Sequence, residues 1–254
     1  MISLAQLKPF ARQYKTNDAT ALREYLQLLF LSRLYEYSRN QQIVFKGGTA
    51  IHLIYKAPRF SEDLDFTVVM PEKEFTEVLR KTFAILESEG RISFKQRKTP
   101  AGKRFLLSAT LPDSTLKSFI NLDFSFREKV FEPQSSFIKS EYPVLFTSQV
   151  AHMSKNEMIA EKIRAIMHRR KGRDIYDLWY LSAQNAKLDL NLIAKKFKYY
   201  GEKFATKELI ERVEGFAKAD FINDLKPFVQ IQERDKLGEL FVYVIGFLKH
   251  ISTS

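Results

Sequence analysis

Two aspartates two residues apart, Asp63 and Asp65 in Arg59-Phe60-Ser61-Glu62-Asp63-Leu64-Asp65-Phe66, are the residues of this chain best suited to chemistry. On a β-strand, residues two apart point to one face. Leu64, Phe66 and Val68 then point to the other, into the core. Adjacent carboxylates repel each other. Mg²⁺, which takes oxygen ligands, is the usual partner that offsets this. Ser61 shares their parity if the strand reaches back that far. An acidic strand edge in water would hold the same residues, but the apolar alternation and the Gly-Gly segment upstream favour the metal.

That segment is Lys46-Gly47-Gly48-Thr49-Ala50, between a strand expected over 43–46 and a helix expected over 49–55. Glycines let a backbone approach an anion closely, and a helix N-terminus offers unpaired N–H groups. Triphosphate oxygens would suit such a place, although a plain turn needs the same glycines. In Asn121-Leu122-Asp123-Phe124-Ser125-Phe126 the apolar residues share one face, and Asn121, Asp123 and Ser125 the other. If this strand neighbours the first, Asp123 is a third carboxylate, able to bind metal or to help deprotonate a hydroxyl. It would equally serve as an outward polar residue.

Further on stand Glu161-Lys162 and Arg173-Asp174-Ile175-Tyr176-Asp177-Leu178, separated by a break at Gly172. Lys162 and Asp177 can meet where two helices pack. Arg164, His168, Arg169, Arg170, Lys171 and Arg173 form a basic cluster that could bind RNA phosphate or simply face solvent. His52, His152, His168 and His250 are scattered and show no ligand spacing. Trp179, the only tryptophan, is expected in the core.

The elements that must hold these residues follow from hydrophobic periodicity. Helices are expected over 4–15 and 17–39, the second capped by Asn17 or Asp18. After the strand at 43–46 and the helix at 49–55 come a strand over 64–70 and a helix over 72–89. Strands then follow over 91–97, 104–111 and 119–126. From about residue 153 the pattern is helical: 153–170, 174–186, 190–199, 206–217, 221–229 and 235–251, with Pro227 kinking or ending the fifth. An α+β lobe over residues 1–150 is thus expected before a helical lobe over 151–254 that completes the site.

With 254 residues, 45% of them hydrophobic, the chain can bury a sizeable core. It has no cysteine, which excludes disulfides and thiolate metal sites and fits a cytoplasmic protein. The N-terminal residues lack the apolar segment and cleavage site of a signal peptide, and no apolar run is long enough to span a bilayer. A net charge of +11, from 41 basic against 30 acidic residues, favours polyanionic partners such as nucleic acid.

Taken together, these motifs resemble the AbiEii-type nucleotidyltransferases, toxins of abortive-infection and toxin–antitoxin systems that include the mycobacterial MenT toxins. The pieces that match are Lys46–Ala50, Arg59-x-Ser61-x-Asp63-Leu64-Asp65-Phe66, Asp123, Glu161-Lys162 and Arg173-Asp174-x-Tyr176-Asp177-Leu178, covering about residues 40–180. The resemblance implies a DNA polymerase β-like fold of class α+β with an appended C-terminal helical domain. It implies Mg²⁺ on Asp63 and Asp65, with Asp123 as a further ligand, and Lys162 and Asp177 as catalytic partners. Lys46, Gly47, Gly48, Thr49, Arg59 and Ser61 would meet the NTP. The reaction implied is transfer of a nucleoside monophosphate to the 3′ end of tRNA, which blocks translation. The partner implied is a cognate antitoxin of winged-helix type. Arg164, Arg169, Arg170, Lys171 and Arg173 would contact RNA. The residues alone leave two other readings open: transfer to a protein side chain, and a non-catalytic nucleic-acid-binding module. The family's Glu-Lys-Asp-Tyr-like opening is replaced here by Leu22-Arg23-Glu24-Tyr25.

Overall fold

A computed structural model describes residues 1–36, 41–184 and 188–253. The chain divides into two compact units, one comprising Met1–Ile54 and Phe60–Met153, the other Tyr55–Arg59 and Ser154–Ser254.

The first unit is built on a mixed sheet. Its strands are β1 (Ile43–Lys46), β2 (Leu64–Val68), β3 (Ile92–Arg97), β4 (Lys103–Thr110), β5 (Lys117–Ser125), β6 (Pro133–Ser136) and β7 (Val150–Met153), in the order β3-β4-β5-β2-β1-β7-β6. β2 runs parallel to β5 and antiparallel to β1, and β1 runs parallel to β7. β6 and β7 were not expected. Neither alternates: β6 is mostly exposed and all four residues of β7 are buried. Four helices accompany the sheet: α1 (Leu4–Gln13), α2 (Asp18–Leu34), α3 (Gly47–Leu53) and α4 (Glu72–Ser88).

Local chemistry explains the helix starts. Ser3 and Gln6 form a reciprocal capping box on α1, and the Asn17 side chain accepts from Thr20 N at 2.8 Å to cap α2. α2 buries residues all around its axis, among them Leu22, Leu26, Phe30 and Leu34, so it is an interior helix rather than a surface one. It packs on β5 and α4. Beneath it Phe66 of β2 stacks on Phe124 of β5 with ring centroids 4.8 Å apart. The helix expected over 17–39 ends at Leu34, and its residues 37–39 lie outside the described residues.

The second unit is helical among the described residues: α5 (Lys155–His168), α6 (Gly172–Ala183), α7 (Leu190–Tyr199), α8 (Thr206–Glu214), α9 (Lys218–Leu225) and α10 (Leu237–Thr253). Ser154 caps α5, accepting from Glu157 N at 3.1 Å. The break between α5 and α6 falls at Arg169–Lys171, where Arg169 takes extended backbone angles, and Gly172 opens the next helix. Residues 185 and 186, expected at the end of that helix, lie outside the described residues. Pro227 sits in the 3₁₀ turn Lys226–Phe228 that follows α9, so it does stop a helix. Lys196 of α7 is wholly buried and meets Glu157 at 2.7 Å and Glu161 at 2.8 Å on α5. Glu161 is thereby a packing residue of the helical unit. Trp179 is half-buried, with its ring 6.0 Å from that of Tyr243, rather than in the core. Among the described residues no helix is long and apolar enough to cross a membrane.

Candidate active site

In the first unit the sheet brings the three aspartates together. β2 and β5 are adjacent, and their register sets Asp65 directly opposite Asp123. Asp63 lies just before β2 and is fixed by its neighbours. Asn121 donates from Nδ2 to Asp63 Oδ1 at 3.0 Å. The Thr49 hydroxyl donates to the Asp63 carbonyl. Gln27 of α2, buried, donates from Nε2 to the carbonyls of Ser61 and Glu62, both at 3.0 Å. The segment carrying Ser61 and Asp63 is therefore held from α2, α3 and β5 at once.

Gly47 completes this arrangement. It opens α3 with φ +79°, a left-handed conformation that favours glycine. A Cβ there would overlap Asp65 Oδ2 and stand 3.0 Å from its Cγ. The absence of a side chain thus leaves the place that the Asp65 carboxylate fills. Lys46 ends β1 opposite Asp65 and pairs with Glu128, whose Oε2 also accepts from the Thr67 hydroxyl at 2.7 Å.

Arg104 of β4 supplies positive charge to the group. Its Nε donates to Asp123 Oδ1 at 2.5 Å. The guanidinium pKa is pushed up, chiefly by that hydrogen bond, with further contributions from the charges on Asp63 and Asp65. Arg104 is thus bound to Asp123 and feels the charges of Asp63 and Asp65. Among the described residues no three acidic or histidine side chains close a ready cage for a metal. Magnesium does not need one, since it keeps several waters and is held by one or two carboxylates plus substrate phosphates. Asp63 and Asp65 are hard oxygen donors of the kind that such an ion takes.

In the second unit five charged side chains interlock. Arg59 is 2% exposed, and its Nε and Nη2 donate to the two oxygens of Asp177, each at 2.5 Å. Lys162 Nζ lies 2.7 Å from Asp177 Oδ2 and 2.9 Å from Asp174 Oδ1. Arg169 also grips Asp174, at 2.7 and 3.0 Å. Burial pulls the Lys162 pKa down, but the charges of Asp174 and Asp177 outweigh it and the net shift is upward. Burial acts to raise the Asp174 carboxyl, yet Lys162 and Arg169 hold it well below the usual range. The meeting of Lys162 with Asp177 across the α5–α6 break is as the spacing suggested.

Several expected nucleotide contacts have other occupations here. The Arg59 guanidinium is committed to Asp177 rather than presented to a phosphate. Thr49 is fully buried, with its hydroxyl on the Asp63 backbone. The basic run also disperses, because helical spacing turns its members to different neighbours. Arg164 pairs with Glu202 at 2.8 Å and lies 3.5 Å over the Tyr200 ring. Arg170 donates to the Gly215 carbonyl at 2.6 Å, and Arg173 stacks over Phe228 at 4.5 Å. Gln27, Arg104, Glu128 and Asp174 escaped the sequence reading. Only Asp174 sat inside a recognised motif, and Asn121 was placed on the polar face without a role.

The aspartates thus lie on and just before the strands of a mixed sheet, beside the helix that Gly47 and Gly48 open. The model of the AbiEii nucleotidyl transferase toxin, type IV toxin–antitoxin system, matches residues 29–238, and the chain belongs to that family. No sequence among the curated proteins matches. Among solved structures it is similar to MenT4, a nucleotidyltransferase toxin of Mycobacterium tuberculosis H37Rv. The TM-score is 0.68 at 18% identity, over 98% of this chain and 90% of that one. JHP933 from Helicobacter pylori gives a TM-score of 0.61 at 21% identity, over 93% of each chain. These likenesses bear on the fold, which is α+β of the polymerase β-like kind. The protein is a nucleotidyltransferase toxin that uses an NTP, and its system includes an antitoxin.

Proposed function

We propose that this toxin transfers a nucleoside monophosphate from an NTP to the 3′ end of tRNA, with Mg²⁺, and so halts translation. The observation that carries the reading is Asp65 of β2 opposite Asp123 of β5, with Asp63 just before β2 and Gly47, lacking a Cβ, against the Asp65 carboxylate. Asp63 and Asp65 are the residues that would hold Mg²⁺, which supplies charge stabilisation as the α-phosphate is attacked. Asp123, now bound to Arg104, would be a further oxygen ligand. Gly47, Gly48 and Ser61 position the β- and γ-phosphates. Lys46 and Thr49 act through what they hold: Lys46 through Glu128, and Thr49 through the Asp63 backbone. Within the second unit Asp174 and Asp177 hold the Lys162 ammonium, and Arg59 fixes Asp177 in turn.

In the reaction the RNA 3′-hydroxyl attacks the α-phosphorus in line. The bond to the bridging β-oxygen breaks, and pyrophosphate leaves. The net charge of +11 favours RNA as acceptor, because phosphate contacts by Lys and Arg dominate affinity for nucleic acid. The cytoplasm, where tRNA and NTPs coexist, is the compartment this reaction needs, and a winged-helix antitoxin is the partner we assign. The test is label transfer from an NTP marked at the α-phosphate into total tRNA by the purified protein. Label on protein instead would move the acceptor to a side chain. No label on either would remove the reading.

A further inference from the structure

Over β3, β4 and β5 the sheet of the first unit has one covered face and one open face. Along β5 burial alternates without a break: Ser118, Ile120, Leu122 and Phe124 are buried, whereas Lys117, Phe119, Asn121, Asp123 and Ser125 are not. The buried set lies toward α2 and α4, where Phe124 meets Phe75 of α4 with ring centroids 4.9 Å apart. The other set shares its face with the aspartates, because residues directly opposite one another on paired strands point the same way.

The register extends this open face in rows. Asp65, Asp123, Arg104 and Arg97 stand side by side on β2, β5, β4 and β3. In the next row Asn121, which holds Asp63, stands opposite Leu106, and Leu106 opposite Lys95. In the row after that, Phe119 stands opposite Ser108. At the usual strand spacing the face runs roughly 14 Å from β2 to the cations on β3, and Phe119 stands roughly 14 Å along β5 from Asp123. Phe119 is 53% exposed although β5 is an interior strand. Lys95, Arg97 and Lys117 are exposed, and among the described residues none of them has an ion-pair partner.

Charges on an edge strand deter pairing with other chains, and β3 is an edge strand. That accounts for neither Phe119 nor Lys117, which lie on β5. Arg97 also stands opposite a like charge, Arg104, while the one carboxylate within that pair's reach, Asp123, is taken by Arg104. An anion lying over β3 would relieve Arg97. An exposed ring on a sheet, with unpaired cations around it, suits a single-stranded nucleic acid: a base stacks on the ring and phosphates lie on the cations. The positive charge gives way to carboxylates only at one end, at Asp123, Asp63 and Asp65.

We propose that the open face of β3, β4 and β5 binds the single-stranded 3′ end of the acceptor RNA. Phe119 stacks one base, Lys95 and Arg97 hold phosphates, and the strand ends at Asp123, where the 3′-hydroxyl is needed. This rests on the proposed transfer to RNA and adds the surface that receives the acceptor.

The test is fluorescence anisotropy of the full-length protein with a fluorescein-labelled single-stranded RNA carrying the 3′-terminal nucleotides of a tRNA, over a range of salt concentrations. Phe119→Ala should weaken binding about tenfold, and Phe119→Trp, which keeps a stacking face, should bind as the wild type does. In the double variant Lys95→Gln, Arg97→Gln the slope of log affinity against log salt should shrink by about 0.7 for each cation removed. All of these positions are exposed, and an unchanged thermal midpoint verifies folding. Unchanged affinity in Phe119→Ala, or an unchanged salt slope in the double variant, overturns the inference. Loss of labelling on a protein acceptor in these variants, with RNA affinity intact, would give the face to a polypeptide and overturn it as well. Label transfer to tRNA is measured on the same samples. Wild-type transfer alongside variants that bind RNA undiminished removes only this inference, whereas RNA affinity lost in the variants with no transfer by the wild type removes only the proposed reaction.

Discussion

Gly47 and Asp65 occupy one another's space: the carboxylate of Asp65 lies where any side chain on Gly47 would have to go. The substitution Gly47→Ala therefore carries two penalties. The left-handed backbone costs about 1–2 kcal/mol for a residue with a Cβ. The new methyl group also pushes Asp65 off its position. A displacement of about 1 Å at a reacting centre can cost roughly a hundredfold in rate. Unfolding in urea should show the modest loss, and label transfer the much larger one. Equal, small effects on both would mean that Asp65 need not stay where it is.

Gln27 offers a test at a distance from any carboxylate. Its amide holds two carbonyls of the segment that carries Ser61. Gln27→Leu keeps the bulk and removes both bonds, at about 1–3 kcal/mol. The segment is then less ordered, and the KM for NTP should rise more than kcat falls. A variant with unchanged KM would show that Gln27 serves only the packing of α2.

Arg104 competes for Asp123 with whatever else Asp123 might bind. Arg104→Gln should lower the Mg²⁺ concentration needed for half-maximal transfer, because the carboxylate is released. A Mg²⁺ titration of wild type and variant decides this, and a higher requirement in the variant would make Arg104 a supporter of the metal site instead.

The buried charges predict how stability follows pH. Asp174 has its pKa lowered on folding, so it contributes stability above its ordinary value of 3.8 and loses it as pH falls through the folded value. Lys162 has its pKa raised, so its contribution is complete below 10.5 and disappears only as pH climbs through the folded value. His152 of β7 is lowered by burial, against the opposing hydrogen bond to the Met153 carbonyl. Its contribution is present above 6.5 and declines below that. Urea midpoints should therefore fall in two acid stages. His152→Gln should flatten the first, and Asp174→Asn the second while lowering stability at neutral pH. A single stage, untouched by His152→Gln, would refute the assignment.

Much of the site was legible because its signals are local. Asp-x-Asp on an alternating strand, Gly-Gly between a strand and a helix, and Lys162 fifteen residues before Asp177 all follow from short-range periodicity. The partner residues were not legible, since they come from elsewhere in the chain. Arg104 reaches Asp123 across an antiparallel register, and Gln27 reaches Ser61 from an interior helix. Nothing in either residue's own neighbourhood announces that contact. Arg59 shows the converse difficulty. It stands at the head of the aspartate motif, yet folds with the helical unit and pairs with Asp177. The basic run at 164–173 is continuous only as a string; across α5, the break at Arg169–Lys171 and α6 its members take separate partners.

The central claim is that Asp63 and Asp65 support nucleotidyl transfer to RNA. The most direct measurement incubates wild-type protein and the Asp65→Asn variant with total tRNA, Mg²⁺ and each NTP labelled at the α-phosphate. Label is expected on tRNA with wild type, none without Mg²⁺, and a loss of roughly a thousandfold or more in a variant that remains folded. Undiminished labelling by folded Asp65→Asn, or labelling that persists after Mg²⁺ is chelated, would contradict it.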